Sequence, residues 1–288
     1  MRSIRSCLLL VLVLAACERV VDLDLPEGTR RLVVEARLER VIGRVNGNQS
    51  ITLSTTAPYF SDAPPPPATG ATVRVTDDAG VAVTFVETAP GRYTTNQLTV
   101  RIGAQYRLTI IYEGQTYEST EAAESVAPID SLYLEAPRPG RFSGTEGVRA
   151  TIDLVDPPGL GNFYLWDQFI DGVRVLGPDS SFKYRMVAMD DAVDGLTITG
   201  FQPYEGIDIP VGSTVLMRQI GLSERMYRYY FAFSDQVSAD GSPFAVPPAS
   251  IRGNVSNLTD PSRFPLGYFY VAEVAEASTT RTEVANAR

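Results

Sequence analysis

Histidine is absent from this chain, lysine occurs once, at Lys183, and cysteine twice, at Cys7 and Cys17. Without histidine there is no Ser-His-Asp or Cys-His arrangement, no imidazole general base and no histidine-ligated zinc or iron. A catalytic lysine would have to be Lys183. The remaining basic residues are arginines, which grip carboxylates in fixed forks and exchange no proton near neutral pH. Hydrolytic chemistry on paired carboxylates or on Ser-Lys stays open. Beyond Cys17 there is no thiol, so no disulfide can form within the folded part and its core alone must hold it. No Gly-x-Gly-x-x-Gly follows a strand to open a helix, and no Walker-type loop occurs, which removes support for nucleotide binding.

What is present begins with an export signal. Arg2 and Arg5 precede the apolar run Leu8 to Leu14, and small residues lead into cysteine in Leu14-Ala15-Ala16-Cys17, the pattern of a secretory signal. The run is too short to span a bilayer. A small-small-Cys ending resembles the bacterial lipobox, which implies that residues 1–16 are a signal peptide, that Cys17 is lipidated and becomes the first mature residue, and that 17–28 is a tether. Under a plain secretory signal Cys17 would be an ordinary thiol; the rarity of cysteine favours the anchor. Without Arg2 and Arg5 the 25 basic residues become 23, against 34 acidic ones. A surface of that sign repels nucleic acid and anionic head groups. With 44% hydrophobic and 20% charged residues, the chain has the means to bury a sizeable core.

From Arg31 onward apolar residues recur at every second position. Leu32, Val34 and Ala36, then Ile51 and Leu53, then Ala71, Val73 and Val75 alternate with polar neighbours, and Tyr106, Leu108, Ile110 and Tyr112 do the same; each run reads as a strand with one buried face. Asp77-Asp78-Ala79-Gly80 supplies a turn. Short strands with turns at regular intervals predict an immunoglobulin-like or prealbumin-like β-sandwich over 29–125. Pro64 to Pro67 favour stiff polyproline II without strand pairing, placing Tyr59 and Phe60 on a projecting loop as candidate contacts for a ligand or partner, or as a plug for the end of the sandwich.

A second β-rich domain is expected over 126–277. Its strands are read at Ile129 to Leu134, Val148 to Val155 and Asn162 to Ile170, the last holding the only tryptophan, Trp166, as a core residue. Residues 171–212 read as an irregular acidic loop. Leu222, Met226, Tyr229, Tyr230, Phe233 and Val237 recur at helical spacing over 222–238, with Ser223 as N-cap and Glu224 and Arg228 paired on the outer face, and this amphipathic helix is expected to seal the sheet. Ser250 to Ser256 and Leu266 to Val274 read as closing strands, and 278–288 as a frayed tail.

A set of phrases occurs in order along the chain: Cys17-Glu18 with Val21-Asp22-Leu23, Leu32-Val33-Val34-Glu35, Ala57-Pro58-Tyr59, Gly70-Ala71-Thr72-Val73, Pro128-Ile129-Asp130-Ser131-Leu132, Phe233-Ser234-Asp235-Gln236-Val237, and Gly253-Asn254-Val255 followed by Leu266-Gly267-Tyr268-Phe269. Together they resemble the domain-of-unknown-function 4249 lipoproteins of Bacteroidota. The resemblance implies an outer-membrane lipoprotein, often encoded beside TonB-dependent receptors and serving as an accessory in capture or import. It carries over no catalytic residues. Glu18 beside the lipidated cysteine is a loose match to surface-export signals, so the expected location is the cell surface, with a periplasm-facing orientation as the alternative.

Two kinds of chemistry are weighed against that reading. Asp190, Asp191 and Asp194 could offer oxygens to Ca²⁺, although their spacing is not that of an EF-hand, and a solvated acidic loop is the expected outcome. A carboxylate-dependent hydrolase of surface glycans or peptides needs two acids in a cleft, one with a raised pKa. The expectation is a non-enzymatic binding or accessory module without cofactor or nucleic acid, with the hydrolase and a structural or adhesion role as alternatives.

Overall fold

The computed structural model describes residues 28–45, 47–58, 63–138, 146–175, 186–237 and 251–282. Arg30–Ala57 and Ser61–Arg288 make up one compact unit. Met1–Thr29 and Pro58–Phe60 make up another, of which only residues 28, 29 and 58 are described, all exposed. Everything below concerns the first. No helix among the described residues is long and apolar enough to cross a membrane.

The protein is mainly β. The strands are β1 (Leu32–Val41), β2 (Gln49–Thr55), β3 (Thr72–Asp77), β4 (Ala82–Ala89), β5 (Arg92–Thr95), β6 (Gln105–Tyr112), β7 (Gln115–Glu124) and β8 (Ser131–Glu135). They continue with β9 (Arg149–Val155), β10 (Phe163–Ile170), β11 (Val173–Arg174), β12 (Met186–Met189), β13 (Thr197–Phe201) and β14 (Thr214–Leu222). After the helix (Glu224–Val237) come β15 (Ser256–Asn257) and β16 (Leu266–Thr280).

The first seven strands do not form the expected sandwich. They run in the order β1-β2-β5-β4-β3-β6-β7, and β16 pairs with both ends of that row to close an eight-stranded barrel. Alternation and turn spacing predict antiparallel strands equally well in a sandwich and in a barrel; what decides here is a strand more than 140 residues away. β16 lies parallel to β1 from Val33 opposite Leu266 to Val41 opposite Val274. On its other side it is parallel to β7 only at Val271 and Ala272. The interior is filled by the inward residues read from the sequence, among them Val34, Ala36, Ile51, Leu53, Leu108 and Ile110, joined by Leu38 and by Phe269 and Val271 of β16. An eight-stranded barrel is just wide enough for side chains to fill it. Buried Tyr93 stays satisfied, donating to the Ala68 carbonyl at 2.8 Å and accepting from the Ala71 N–H at 2.9 Å.

Beyond Ala272 the same strand leaves the barrel. Its edge passes from β7 to β14, with which it pairs antiparallel from Ile220 opposite Val274 to Thr214 opposite Thr280. The tail expected from residue 278 is therefore strand as far as Thr280. β14, β10 and the short β11 and β12 extend this sheet. One face of it buries Trp166, Tyr164, Val215 and Met217 against Ile152 and Leu154 of a separate three-stranded sheet, β13-β9-β8. The opposite face buries Leu165, Ile220, Tyr270 and Val274 beneath Met226 and Tyr230 of the helix. Ser223 caps that helix by accepting the Met226 N–H at 3.4 Å, and Arg228 pairs with Glu224, as the spacing indicates.

Residues 171–212, expected to be irregular, carry β11, β12 and β13. The proline run does not project unpaired either: the Thr55 N–H donates to the Pro66 carbonyl at 2.8 Å, so the segment docks on β2 through the acceptor that proline keeps.

The two-residue contact between β7 and β16 leaves a seam, which Asn254 fills. Its side-chain oxygen accepts the Phe269 N–H at 2.9 Å and its amide donates to the Phe269 carbonyl at 2.6 Å and to Glu121 at 2.8 Å. A side chain thus stands in for a missing strand partner. The fit requires glycine on both sides. A Cβ on Gly253 would lie 1.6 Å from the Gly267 carbonyl oxygen, and one on Gly267, whose φ is +88°, would lie 2.0 Å from the Val34 oxygen. Asn254→Ala strands two backbone groups and should cost about 2 kcal/mol, a fall in Tm of roughly 4–8 °C at this size. A thermal melt showing an unchanged Tm would contradict this account of the seam.

Candidate functional site

Two groups of acids lie where chemistry could occur. The first sits at one end of the helix-covered sheet. Asp156 follows β9 and is fully buried; Asp190 follows β12 and is fully buried; Asp194 is exposed in the turn after it. One carboxylate oxygen from each lies within 4.8 Å of the other two. Asp190 and Asp194 of the sequence candidates are thus brought together, whereas exposed Asp191 is not part of the group and Asp156 takes its place. In sequence, Asp156 opens the turn-forming run Asp156-Pro157-Pro158-Gly159 and carries no other mark. Its burial at the end of an apolar strand is the signal that could have singled it out.

The oxygens are already engaged. Asp156 accepts the Tyr164 hydroxyl and, at 3.1 Å, the Gly195 N–H. Asp190 accepts the N–H groups of Gly161 at 3.1 Å and Asn162 at 3.0 Å, and the Asn162 side-chain amide at 3.0 Å. Asp194 accepts the Gly159 N–H at 2.6 Å. Burial opposes the charge on Asp190, but the N–H groups of Asn162 and Gly161 outweigh it and hold the carboxyl below its ordinary range. Burial, and then the bond to Asp156, push the Tyr164 phenol above its usual range. Ca²⁺ takes six to eight oxygens, and here five of the six carboxylate oxygens already accept an N–H or O–H donor. The arrangement laces loop 156–162 to loop 190–195, and among the described residues these three are the group that could hold a cation.

The second group lines a groove of about 460 Å³ between β7 and the start of the helix, where Thr120, Glu121 and Glu124 face Ser223, Glu224 and Arg225. Glu121 is buried, accepts the Ser223 hydroxyl and the Asn254 amide, each at 2.8 Å, and has the Arg225 guanidinium at 3.5 Å. It therefore ties the barrel seam to the helix cap. Glu124 is half-buried, and desolvation, followed by the charge of Glu121, raises its carboxyl above the ordinary range.

Cys17, Tyr59 and Phe60 lie outside the described residues, and so do most of the signal and tether. Trp166 is core, its indole N–H donating to Gln219 at 2.8 Å.

Fold and sites together define a mainly β protein in which a closed barrel shares a strand with a helix-covered sheet, and whose buried acids serve the joints between elements. The chain belongs to the family described as Domain of unknown function (DUF4249), which matches residues 18–278. No curated protein matches it.

The depressed Asp190 carboxyl fixes a sign for pH dependence. Its stabilisation is complete above the unfolded-state value near pH 4 and is lost as the pH falls through the lower folded-state value. Asp190→Asn turns an acceptor into a donor facing N–H groups, so the variant should be less stable at neutral pH and lose stability less steeply in acid. Parallel acid profiles for the two proteins, measured by denaturant unfolding, would contradict the clamp.

Proposed function

We propose that the chain is an outer-membrane lipoprotein, anchored through Cys17, that acts as a non-enzymatic binding or accessory module, working with a TonB-dependent barrel receptor in nutrient capture at the cell surface. The observation that carries this reading is the sequence Leu14-Ala15-Ala16-Cys17 behind a short apolar run. Two further facts support it. The barrel interior is packed with side chains, so contacts must be made from the outside, and the buried acids Asp156, Asp190 and Glu121 are committed to hydrogen bonds within the fold.

One observation favours a second reading, the carboxylate-dependent hydrolase: Glu124 lines a groove beside Glu121 with its carboxyl raised, and glycoside hydrolysis asks for an acid of that kind beside a second carboxylate. Engagement of Glu121 by Ser223 and Asn254 weighs against it as the second group. Under this alternative Glu124→Gln abolishes turnover of some glycan or peptide in a broad panel; absence of turnover by the unaltered protein removes it.

Each buried acyl CH₂ contributes about 0.8 kcal/mol to membrane retention, so Cys17→Ser should move the protein from the membrane fraction to the soluble one. Solubilised membranes carrying the tagged protein should yield an outer-membrane barrel protein on affinity capture, identified by mass spectrometry. Retention of the serine variant contradicts the anchor, and capture of the lipoprotein alone contradicts the receptor partnership.

A further inference from the structure

On a barrel wall alternate side chains face solvent, and the buried positions Ile51, Val73, Phe85, Tyr93 and Leu108 fix which alternate set that is. Across the neighbouring strands β2, β5, β4, β3 and β6 the outward set comprises sixteen positions. Nine are serine or threonine, three are Arg74, Arg92 and Arg107, and none is aspartate or glutamate. This is unexpected in a chain with 34 acidic and 25 basic residues. The acids resume only at the borders, with Glu35 on β1 opposite Thr52 and Glu118 on β7 opposite Thr109. Elsewhere in the fold most arginines are paired with carboxylates, as Arg101 is with Asp78 and Arg218 with Glu39, while Arg31 and Arg252 stack on Phe264. Among the described residues Arg74, Arg92 and Arg107 have no carboxylate within ion-pair distance; the contact of Arg92 is a 3.3 Å bond from Nε to the Ser50 hydroxyl.

The same wall carries a groove. At the β2-β5-β4 end an open hollow of about 560 Å³ is lined by Ser50, Thr84, Arg92, Thr94, Asn96 and Gln97, among others, again without a carboxylate. Hydroxyl and amide groups that both donate and accept match sugar hydroxyls. A guanidinium with free N–H groups matches a carboxylate in a forked, charge-assisted pair. No aromatic ring lines the groove, so the stacking platform that single-stranded nucleic acid uses is missing. The acidic remainder of the surface repels a polyanion and confines it to this face.

We propose that this wall is the binding face for an acidic glycan, a chain of hydroxyl-bearing sugars that carries carboxylates. Arg92 anchors a carboxylate in the groove, and Arg74 and Arg107 hold the chain along β3 and β6. The proposal deepens the binding-module reading and rests on it.

The test is titration of the full-length protein in detergent with polygalacturonate oligomers, with neutral dextran and single-stranded DNA as controls. Polygalacturonate should bind, more weakly as salt rises, and dextran and DNA should not. Arg92→Gln should weaken binding about tenfold, the loss of one charge-assisted contact. Arg74→Glu with Arg92→Glu and Arg107→Glu should abolish it, while Tm stays near that of the unaltered protein because these side chains face solvent. No binding of polygalacturonate, equal binding by the substituted proteins, or DNA or dextran bound as tightly would each overturn the assignment. Capture of the barrel receptor is read separately. If the receptor is captured but polygalacturonate does not bind, the ligand class alone falls; if neither occurs, the module reading falls with it.

Discussion

Parallel pairing between β1 and β16 is the constraint on which the rest of the fold depends. Without β16, the first seven strands would be an open sheet with two long unpaired edges, the arrangement that invites association with other chains. With it, the β1 edge is covered along its length and the β7 edge is joined at Val271 and Ala272, and the strand then delivers seven further residues to β14. Residues 269 and 271 face the barrel core, Ala275 faces the core shared with the three-stranded sheet, and the intervening Tyr270, Ala272 and Val274 face the helix. Every apolar core therefore includes a piece of one strand. Charge supports the same joint: Glu39 of β1 receives the Tyr270 hydroxyl at 2.7 Å and the Arg218 guanidinium at 2.6 Å, and Arg218 also reaches Glu276 at 2.9 Å. These groups are largely buried. Removal of Arg218 would leave Glu39 with the Tyr270 hydroxyl as its remaining partner and Glu276 with Arg44 alone, and breaking so buried a pair costs more than the pair itself contributes.

Much of this was legible in the amino-acid order, wherever the information was local. Alternation located β1, β2, β3, β6 and β9, an aromatic-rich run located β10, Asp77-Asp78 marked a turn, and the 3.6-residue period with Ser223 located the helix and its cap. What could not be read was long-range. Nothing in Leu266–Thr280 says that the strand will lie parallel to β1, and its apolar content on both faces reports only that it is buried on both sides. The expectation of a tail at 278 failed for that reason, since Thr279 and Thr280 look polar and exposed yet are held by ladder bonds to β14. The acid-rich 171–212 stretch hid β12 and β13 because short edge strands carry too few residues for a period to show.

The sites divide in the same way. Asp190 and Asp194 stood together in sequence because they share one turn, and Asp156 was missed because it reaches them across a loop closure. The phrases that carried the family resemblance acquire a physical meaning in the fold. Leu32–Glu35, Gly253–Val255 and Leu266–Phe269 converge on the barrel seam, where Gly253 and Gly267 permit contacts that no larger residue allows and Asn254 completes the ladder. The acid-free wall, by contrast, was present in the alternate residues of five strands. It became meaningful only once those strands were known to be neighbours, since β5 lies beside β2 and β3 beside β6.

Hydrogen exchange tests the shared-strand account most directly. If β16 joins all the cores, amides of β1, of β14 and of the whole span Leu266–Thr280 should exchange together, with the free energy of global unfolding. Earlier and separate exchange of residues 274–280 with β14, while 266–272 stay protected with β1, would show two units that open independently and would contradict it.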